Sequence, residues 1–173
     1  MAWDSTMRRE GKSDKQMAHI AYSRFASGDT KDGTKYSLGG LYVRQYVTRV
    51  SKKALARIND PDVIVHGKGV DYWKLGGFVK KGITREHVIP VSVLYDHLAK
   101  LYKQSKLTEA YILKLIPKLQ IAVITKEEEK KLKDAHLNSS MPGRDAWWNS
   151  KTLDPLERYR AAGLDDSIWV KGF

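Results

Sequence analysis

The amino-acid sequence predicts an α+β fold. Residues 63–90 and 119–124 are rich in Val, Ile and aromatic side chains, which is typical of short strands. The segments 13–26, 91–104 and 107–119 instead place apolar residues three or four positions apart, at helical spacing. A chain of 173 residues that contains both kinds of segment is long enough to bury a core of its own.

The composition indicates to which classes of protein the chain can belong. Hydrophobic residues make up 42% and charged residues 29% of the chain, as in folded globular proteins. There is no Cys, which excludes disulfides and Cys-ligated zinc. No apolar run approaches the length of a membrane span, and the first residues, MAWDSTMRREGKSDK, are polar rather than leader-like. We therefore expect a cytoplasmic protein without a membrane partner.

The strongest compositional feature is positive charge. The chain has 31 Lys and Arg against 20 Asp and Glu, a net charge of +11. Such an excess attracts polyanions, most often nucleic acid and less often an acidic protein or a membrane surface. The alternative is a basic protein whose charge serves only solubility.

The N-terminal third is predicted to be mainly helical and basic. A helix is expected over 13–26, a Gly-, Asp- and Ser-rich loop over 27–40, and a mostly helical stripe over 41–58 whose β-branched start also fits an extended chain. Between Asp32 and Asp60 every charged residue is basic. A solvated helix face usually carries mixed charges, so this stripe predicts phosphate contact. Its members are Lys35, Arg44, Arg49, Lys52, Lys53 and Arg57.

The middle of the chain begins with a break at 59–62 and continues as short strands joined by turns over 63–90. Helices follow over 91–104 and 107–119, the second with Thr108 as its N-cap and Pro117 at its end. The next segments are a buried strand over 119–124, a helix over 125–137, a loop over 138–155, a short helix over 156–162 and an end segment.

The helix over 125–137 has the best-defined start in the sequence. Thr125 and Glu128 have the spacing of a capping box, and acidic residues precede lysines in the order that the helix dipole favours. In the loop after this helix, Trp147 and Trp148 either stack on bases or, as we favour, pack onto the core.

The stretch GITREHVIP, residues 82–90, places a carboxylate and an imidazole side by side at the end of an apolar strand. A second strand and a capped helix follow, and with them the sequence over about 80–140 resembles the His-Me finger nucleases, also called HNH or ββα-metal nucleases. The resemblance implies a ββα-metal nuclease core with additional helices. It divides the chain into a basic, DNA-contacting region over 1–62, the nuclease core over 63–142 and a tail over 143–173 that packs on the core.

The resemblance also implies roles for individual residues. Glu86 corresponds to a metal ligand and His87 to the general base. Gln120 stands where the family has an Asn that holds the connecting loop, and Glu129 stands where it has a metal-binding His or Asn. Glu128 is the neighbouring candidate, although the capping box is expected to occupy it. His136 is a further candidate ligand, or a residue that interacts with the end of the helix dipole.

Two carboxylates without a thiol form a hard, oxygen-rich site, which favours one Mg²⁺ or Mn²⁺ ion over Zn²⁺ or Ni²⁺. Lys133 lies one helical turn after Glu129 and is predicted either to contact the scissile phosphate or to shield Glu129. Arg85, next to Glu86, completes the predicted DNA contacts.

The resulting hypothesis is a metal-dependent DNA endonuclease, of restriction or phage type, that leaves a 5′-phosphate and a 3′-hydroxyl. Double-stranded DNA is the favoured substrate, and a homodimer would let two sites cut both strands. Two alternatives stay open. The departures at Gln120 and Glu129 also fit a non-catalytic nucleic-acid-binding protein with a decayed motif, and the same motif occurs in colicin-like nuclease toxins.

Overall fold

A computed structural model describes residues 11–173 of the chain. The first ten residues, which supplied most of the expectation that no secretory leader is present, lie outside the described part. The described chain combines helices with small sheets, so the predicted α+β class is confirmed. Over the same range, no helix is both long and apolar enough to cross a membrane.

The helices and strands are numbered separately in chain order. The strands are β1 (Tyr46–Val47), β2 (Arg49–Val50), β3 (Ile64–Val65), β4 (Gly69–Asp71), β5 (Ile83–His87) and β6 (Ile121–Thr125). The α-helices are α1 (Asp14–Ala26), α2 (Lys31–Gly40), α3 (Lys52–Ile58), α4 (Val91–Lys103), α5 (Glu109–Leu115), α6 (Lys126–Asp134) and α7 (Glu157–Ala161). Short 3-10 helices cover Tyr72–Lys81, Ile116–Lys118, Arg144–Asn149 and Asp166–Ile168.

These elements form two compact units. Within the described residues, the first unit comprises 11–43 together with Val91–Leu119, and the second comprises Arg44–Pro90 and Gln120–Phe173. The division differs from the three consecutive segments expected from the sequence, because the helices between β5 and β6 belong with the N-terminal helices and not with the strands that flank them.

The first unit is helical, and α1 packs against α2 and α5. The predicted loop over 27–40 is wrong, since α2 begins directly after Thr30, whose hydroxyl accepts the Gly33 N–H at 3.0 Å. Thr34, Ser37 and Leu38 are buried at helical spacing. The packing of this face overrides the low helix propensity of the glycines in the segment. The predicted cap of α5 is confirmed, with the Thr108 hydroxyl accepting the Tyr111 N–H.

The second unit contains two three-stranded sheets, in the orders β1-β4-β3 and β2-β6-β5. In the predicted stripe over 41–58, the extended alternative for the β-branched start is confirmed by β1 and β2, and the helix is confirmed for α3. β1 and β2 each bury a valine and pair with β4 and β6, and this pairing overrides the helical spacing. All five residues of β6 are buried, in agreement with the predicted buried strand.

The segment Tyr72–Lys81 was predicted to continue the short strands and instead forms a 3-10 helix. Its buried residues are Tyr72, Leu75 and Phe78. They recur every third position, which is the period of a 3-10 helix and brings all three to one face.

The C-terminal tail belongs to the second unit. Trp147 and Trp169 are 3% exposed. The Val170 N–H donates to the Val50 carbonyl at 2.9 Å, so the tail extends the pairing of β2.

The start of α6 is attached to the start of β5. Gly82 has a φ of 75°, a left-handed conformation that favours glycine, and its carbonyl accepts the Lys126 N–H at 2.8 Å. The predicted capping box is present, because the Thr125 hydroxyl accepts the Glu128 N–H and the Glu128 carboxylate accepts the Thr125 N–H. β5, β6 and α6 are thereby held together as a strand–strand–helix unit.

Candidate active site

The strand–strand–helix unit carries the acidic and imidazole side chains that the sequence singled out. β5 is antiparallel to β6, with Glu86 opposite Ala122 and His87 opposite Ile121. α6 follows β6 without an intervening loop and bears Glu129 in its first turn. The fold therefore places Glu86, His87 and Glu129 on neighbouring elements of one compact unit.

Glu86 is a partly buried carboxylate among charged groups. Its side chain is 17% exposed, and its Oε2 lies 2.6 Å from Nη2 of Arg158. Burial raises the pKa of Glu86, the Arg158 guanidinium opposes this shift, Glu129 adds to it and Lys133 opposes it. Glu86, Glu129 and Lys133 are thus within electrostatic range of one another.

Glu129 and Glu128 have different environments although they are adjacent. Glu129 is 15% exposed and lies between two lysines, with Lys133 Nζ 3.6 Å from Oε1 and Lys126 Nζ 3.4 Å from Oε2. Glu128 is buried by the capping box, and its Oε2 also accepts the Ser51 hydroxyl at 2.7 Å. Glu129 is therefore the carboxylate that can face a ligand.

His87 is a partly buried imidazole. Burial, followed by the positive charges of Arg158 and Arg85, lowers its pKa to about 4. The ring is consequently neutral at physiological pH and able to accept a proton. A pKa this low also makes it a weak base, and an approaching phosphate anion would raise its affinity for a proton.

Gln120 lies at the entry to β6, as predicted. Its backbone carbonyl accepts the Val88 N–H at 3.0 Å, one residue beyond the end of β5. This bond extends the ladder past His87 and holds the chain where EHVIP leaves the sheet. The bond is made by a backbone carbonyl, which any residue type supplies.

Arg158 is a residue of this site that the sequence did not reveal. It lies on α7 and is 0% exposed. Its guanidinium donates to the Glu86 carboxylate and to the backbone carbonyls of His87, Val88, Leu137 and Asn138. These bonds tie the end of β5 to the segment after α6. Sequence spacing alone does not distinguish Arg158 from the exposed Arg160.

His136 does not share a helical face with Glu129, because α6 ends at Asp134. His136 follows the C-cap residue Ala135 in the left-handed conformation, with a φ of 56°. The His136 N–H donates to the Lys133 carbonyl, and the Leu137 N–H donates to the Leu132 carbonyl, which is the Schellman arrangement. The expectation of a shared face is wrong, and the role of His136 in α6 is that of a backbone cap.

The predicted basic stripe over 35–58 is divided among several elements. Lys52 and Lys53 are exposed on α3, whereas Arg57 pairs with Glu127 at 2.9 Å and donates to the Gly82 carbonyl. Arg49 lies over the ring of Trp169. Burial lowers the pKa of Arg44, and Lys35 lies on α2 in the first unit. The six cations do not form one helical face.

Glu86 and Glu129 offer the oxygen donors that hard divalent ions prefer. Within residues 11–173, no three His, Cys, Asp or Glu side chains lie together as a complete metal cage. Mg²⁺ commonly binds one or two carboxylates and takes its other ligands from water and phosphate. Glu86 and Glu129 repel each other, a divalent ion would remove that repulsion, and the Lys133 side chain is exposed enough to move aside.

Comparison of the chain with models of protein families, with curated proteins and with solved structures gives no match. The geometry and chemistry of the site therefore carry the functional conclusion.

Proposed function

We propose that the chain is a metal-dependent endonuclease of the His-Me finger type that acts on DNA. The observation that supports this most is the electrostatic repulsion between Glu86 and Glu129, which stand on β5 and α6 of a strand–strand–helix unit, with the neutral His87 next to Glu86 on β5. The net charge of +11 suits a polyanionic substrate.

In the proposed reaction, His87 removes a proton from a water molecule as the water oxygen attacks phosphorus. The bond from phosphorus to the 3′ oxygen breaks, and this oxygen takes a proton from solvent water, which leaves a 5′-phosphate and a 3′-hydroxyl. His87 is suited to this step because its lowered pKa keeps the ring unprotonated at neutral pH. Its backbone carbonyl accepts from Arg158 at 2.7 Å, which fixes the chain that carries the ring.

Glu86 and Glu129 would hold a divalent ion, with Mg²⁺ or Mn²⁺ favoured by the two carboxylates. When bound, such an ion supplies positive charge next to the leaving oxygen and the phosphate oxygens. Arg158 keeps the Glu86 carboxylate in place through Oε2. Lys133, once displaced from Glu129, is positioned to contact the phosphate. One such site cuts one strand, so a duplex break needs a second copy or a second event.

A second candidate function is DNA binding without cleavage. Both carboxylates already have cationic partners, Arg158 for Glu86 and Lys133 for Glu129. Together with the low pKa of His87, this pairing is the state expected of a site that no longer needs an ion.

The deciding experiment is digestion of supercoiled plasmid with Mg²⁺, Mn²⁺, Zn²⁺, Ni²⁺ or chelator. We expect nicking by the wild type with at least one ion and none with chelator. His87→Ala and Glu129→Gln should abolish nicking, while Glu127→Gln, an exposed glutamate in the same turn, should not. Binding without nicking under every ion would favour the second candidate, and normal nicking by Glu129→Gln would overturn the ligand assignment.

A further inference from the structure

We infer that the 3-10 helix Tyr72–Lys81 is a DNA-contact surface beside the candidate active site, an inference that takes its partner from the proposed function. The helix leads through Gly82 directly into β5, which carries Glu86 and His87. Both belong to the same compact unit. One face of the helix is buried by Tyr72, Leu75 and Phe78, and the other two faces are exposed, with Lys74 Nζ donating to the Asp62 carbonyl.

The first exposed face is apolar at both ends. Trp73 is 42% exposed and Val79 is 48% exposed. They are six positions apart, so they project from the same side of a 3-10 helix, about 12 Å apart along its axis. A face that exposes two large apolar side chains marks an interaction surface more often than a single exposed residue does.

On this face Gly76 lies between Trp73 and Val79, and Gly77 follows it on the third face of the helix. Neither has a left-handed φ, and a Cβ added at either position would meet nothing within 4 Å. Glycine inside a helix destabilises it relative to alanine. Close approach of a partner to the backbone explains why two glycines occupy these positions.

The charge of the segment specifies the partner. From Tyr72 to Arg85 there are four basic residues and no acidic residue. Lys80 is exposed, Lys81 Nζ lies 4.9 Å from the centre of the Phe78 ring, and the Arg85 guanidinium lies 5.1 Å from that of Tyr72. An exposed indole on a segment whose charged residues are all basic matches a nucleic acid, since the ring can stack on a base or insert at a base step while an exposed cation such as Lys80 contacts a phosphate.

The test measures binding without cleavage. Fluorescence anisotropy of a labelled duplex, and of its labelled single strand, is followed with chelator in a His87→Ala background. Trp73→Ala and the double variant Gly76→Ala/Gly77→Ala are compared with two matched controls in the first unit. Leu113→Ala removes an apolar side chain that is 37% exposed, and Gly39→Ala fills open space at another helical glycine.

We expect Trp73→Ala to weaken binding at least about fivefold, the effect of losing one stacked base. The glycine variant should also weaken binding while its unfolding midpoint rises or stays the same, and both controls should bind like the parent. Weaker binding to the duplex indicates that Trp73 inserts at a base step. Weaker binding to the single strand alone indicates that Trp73 stacks on a base. The inference is overturned if both variants bind both DNAs as tightly as the controls. It is also overturned if sedimentation shows that the variants lose self-association while their DNA binding is unchanged. If the variants weaken DNA binding as expected but the wild type never nicks plasmid, the proposed function is rejected and the DNA-contact surface stands.

Discussion

Arg158 Nη2 and Glu86 Oε2 lie 2.6 Å apart, although the two residues are far apart in the sequence. The guanidinium is fully buried, and its other donors go to backbone carbonyls on both sides of the candidate site. A charge removed from water in this way is stable only while its partners remain. The pair therefore links the integrity of the fold to the position of the Glu86 carboxylate.

Replacing Arg158 should destabilise the protein strongly. Arg158→Gln leaves the Glu86 charge without its partner and deprives several carbonyls of a donor, so we expect a loss of about 3–5 kcal/mol in the free energy of unfolding. Urea denaturation measures it. Arg160→Gln on the same helix is the matched control: its ion pairs with Asp154 and Asp166 are exposed, and its loss should stay within about 1 kcal/mol. Similar losses for the two variants would contradict a special role for Arg158.

Replacing each of the three consecutive glutamates of α6 in turn should show which one supports stability and which one supports activity. Glu128→Ala removes the capping box and the partner of the Ser51 hydroxyl, so we expect it to cost about 1–3 kcal/mol. Glu129→Ala should leave stability nearly unchanged, because it also removes repulsion on Glu86, but should abolish plasmid nicking. Glu127→Ala, which loses one exposed pair with Arg57, should change neither property much. Thermal unfolding and nicking are measured on all three, and a stable, inactive Glu128→Ala variant would reverse the assignment.

His87 should make stability depend on pH. Its pKa is about 4 in the folded chain and ordinarily 6.5, so the unfolded chain takes up the proton first. The stability that this difference contributes is complete above pH 6.5 and is lost as the pH falls towards 4, a change on the order of 3 kcal/mol. Glu86 acts in the opposite sense, because its raised pKa contributes stability that is lost as the pH rises through the raised value.

Urea unfolding of the wild type and of His87→Gln is compared from pH 7 to pH 4.5. Both proteins contain Glu86, so the difference between them isolates the contribution of His87. The wild type should lose stability faster than the variant over this range. His66→Gln, which removes an imidazole from an exposed turn, is the control. Parallel curves for the wild type and His87→Gln would show that the buried ring does not titrate as described.

Local signals made parts of the fold predictable. The capping box at Thr125 and Glu128 depends on residues three positions apart, and the apolar run of β6 reports its own burial. α2 was missed because its glycines argue against a helix that is formed by packing. The 3-10 helix after Asp71 was missed because its apolar residues recur every third position, which neither the α-helical nor the strand period describes.

The candidate site was predictable only through resemblance. Glu86 and Glu129 are within electrostatic range because β5 pairs with β6 and α6 follows β6, and no spacing in the sequence encodes that pairing. The role of Arg158 was not predictable from the sequence. Most of its hydrogen-bond partners are backbone carbonyls, which every residue type has. The predicted helix over 125–137 includes His136, but α6 ends at Asp134, two residues earlier. His136 therefore lies beyond the helix and does not share a face with Glu129.

Replacing His136 by glycine should stabilise the protein and leave its chemistry intact. His136 holds a φ of 56°, which strains a side chain that carries a Cβ and suits glycine at the end of a helix. We expect His136→Gly to raise the free energy of unfolding by up to about 1 kcal/mol, while His136→Ala, which keeps the Cβ and loses the ring, should show no such gain. Both variants should nick plasmid like the wild type if His136 acts through its backbone. A loss of nicking in both, with the fold intact, would instead return the imidazole to the list of metal ligands.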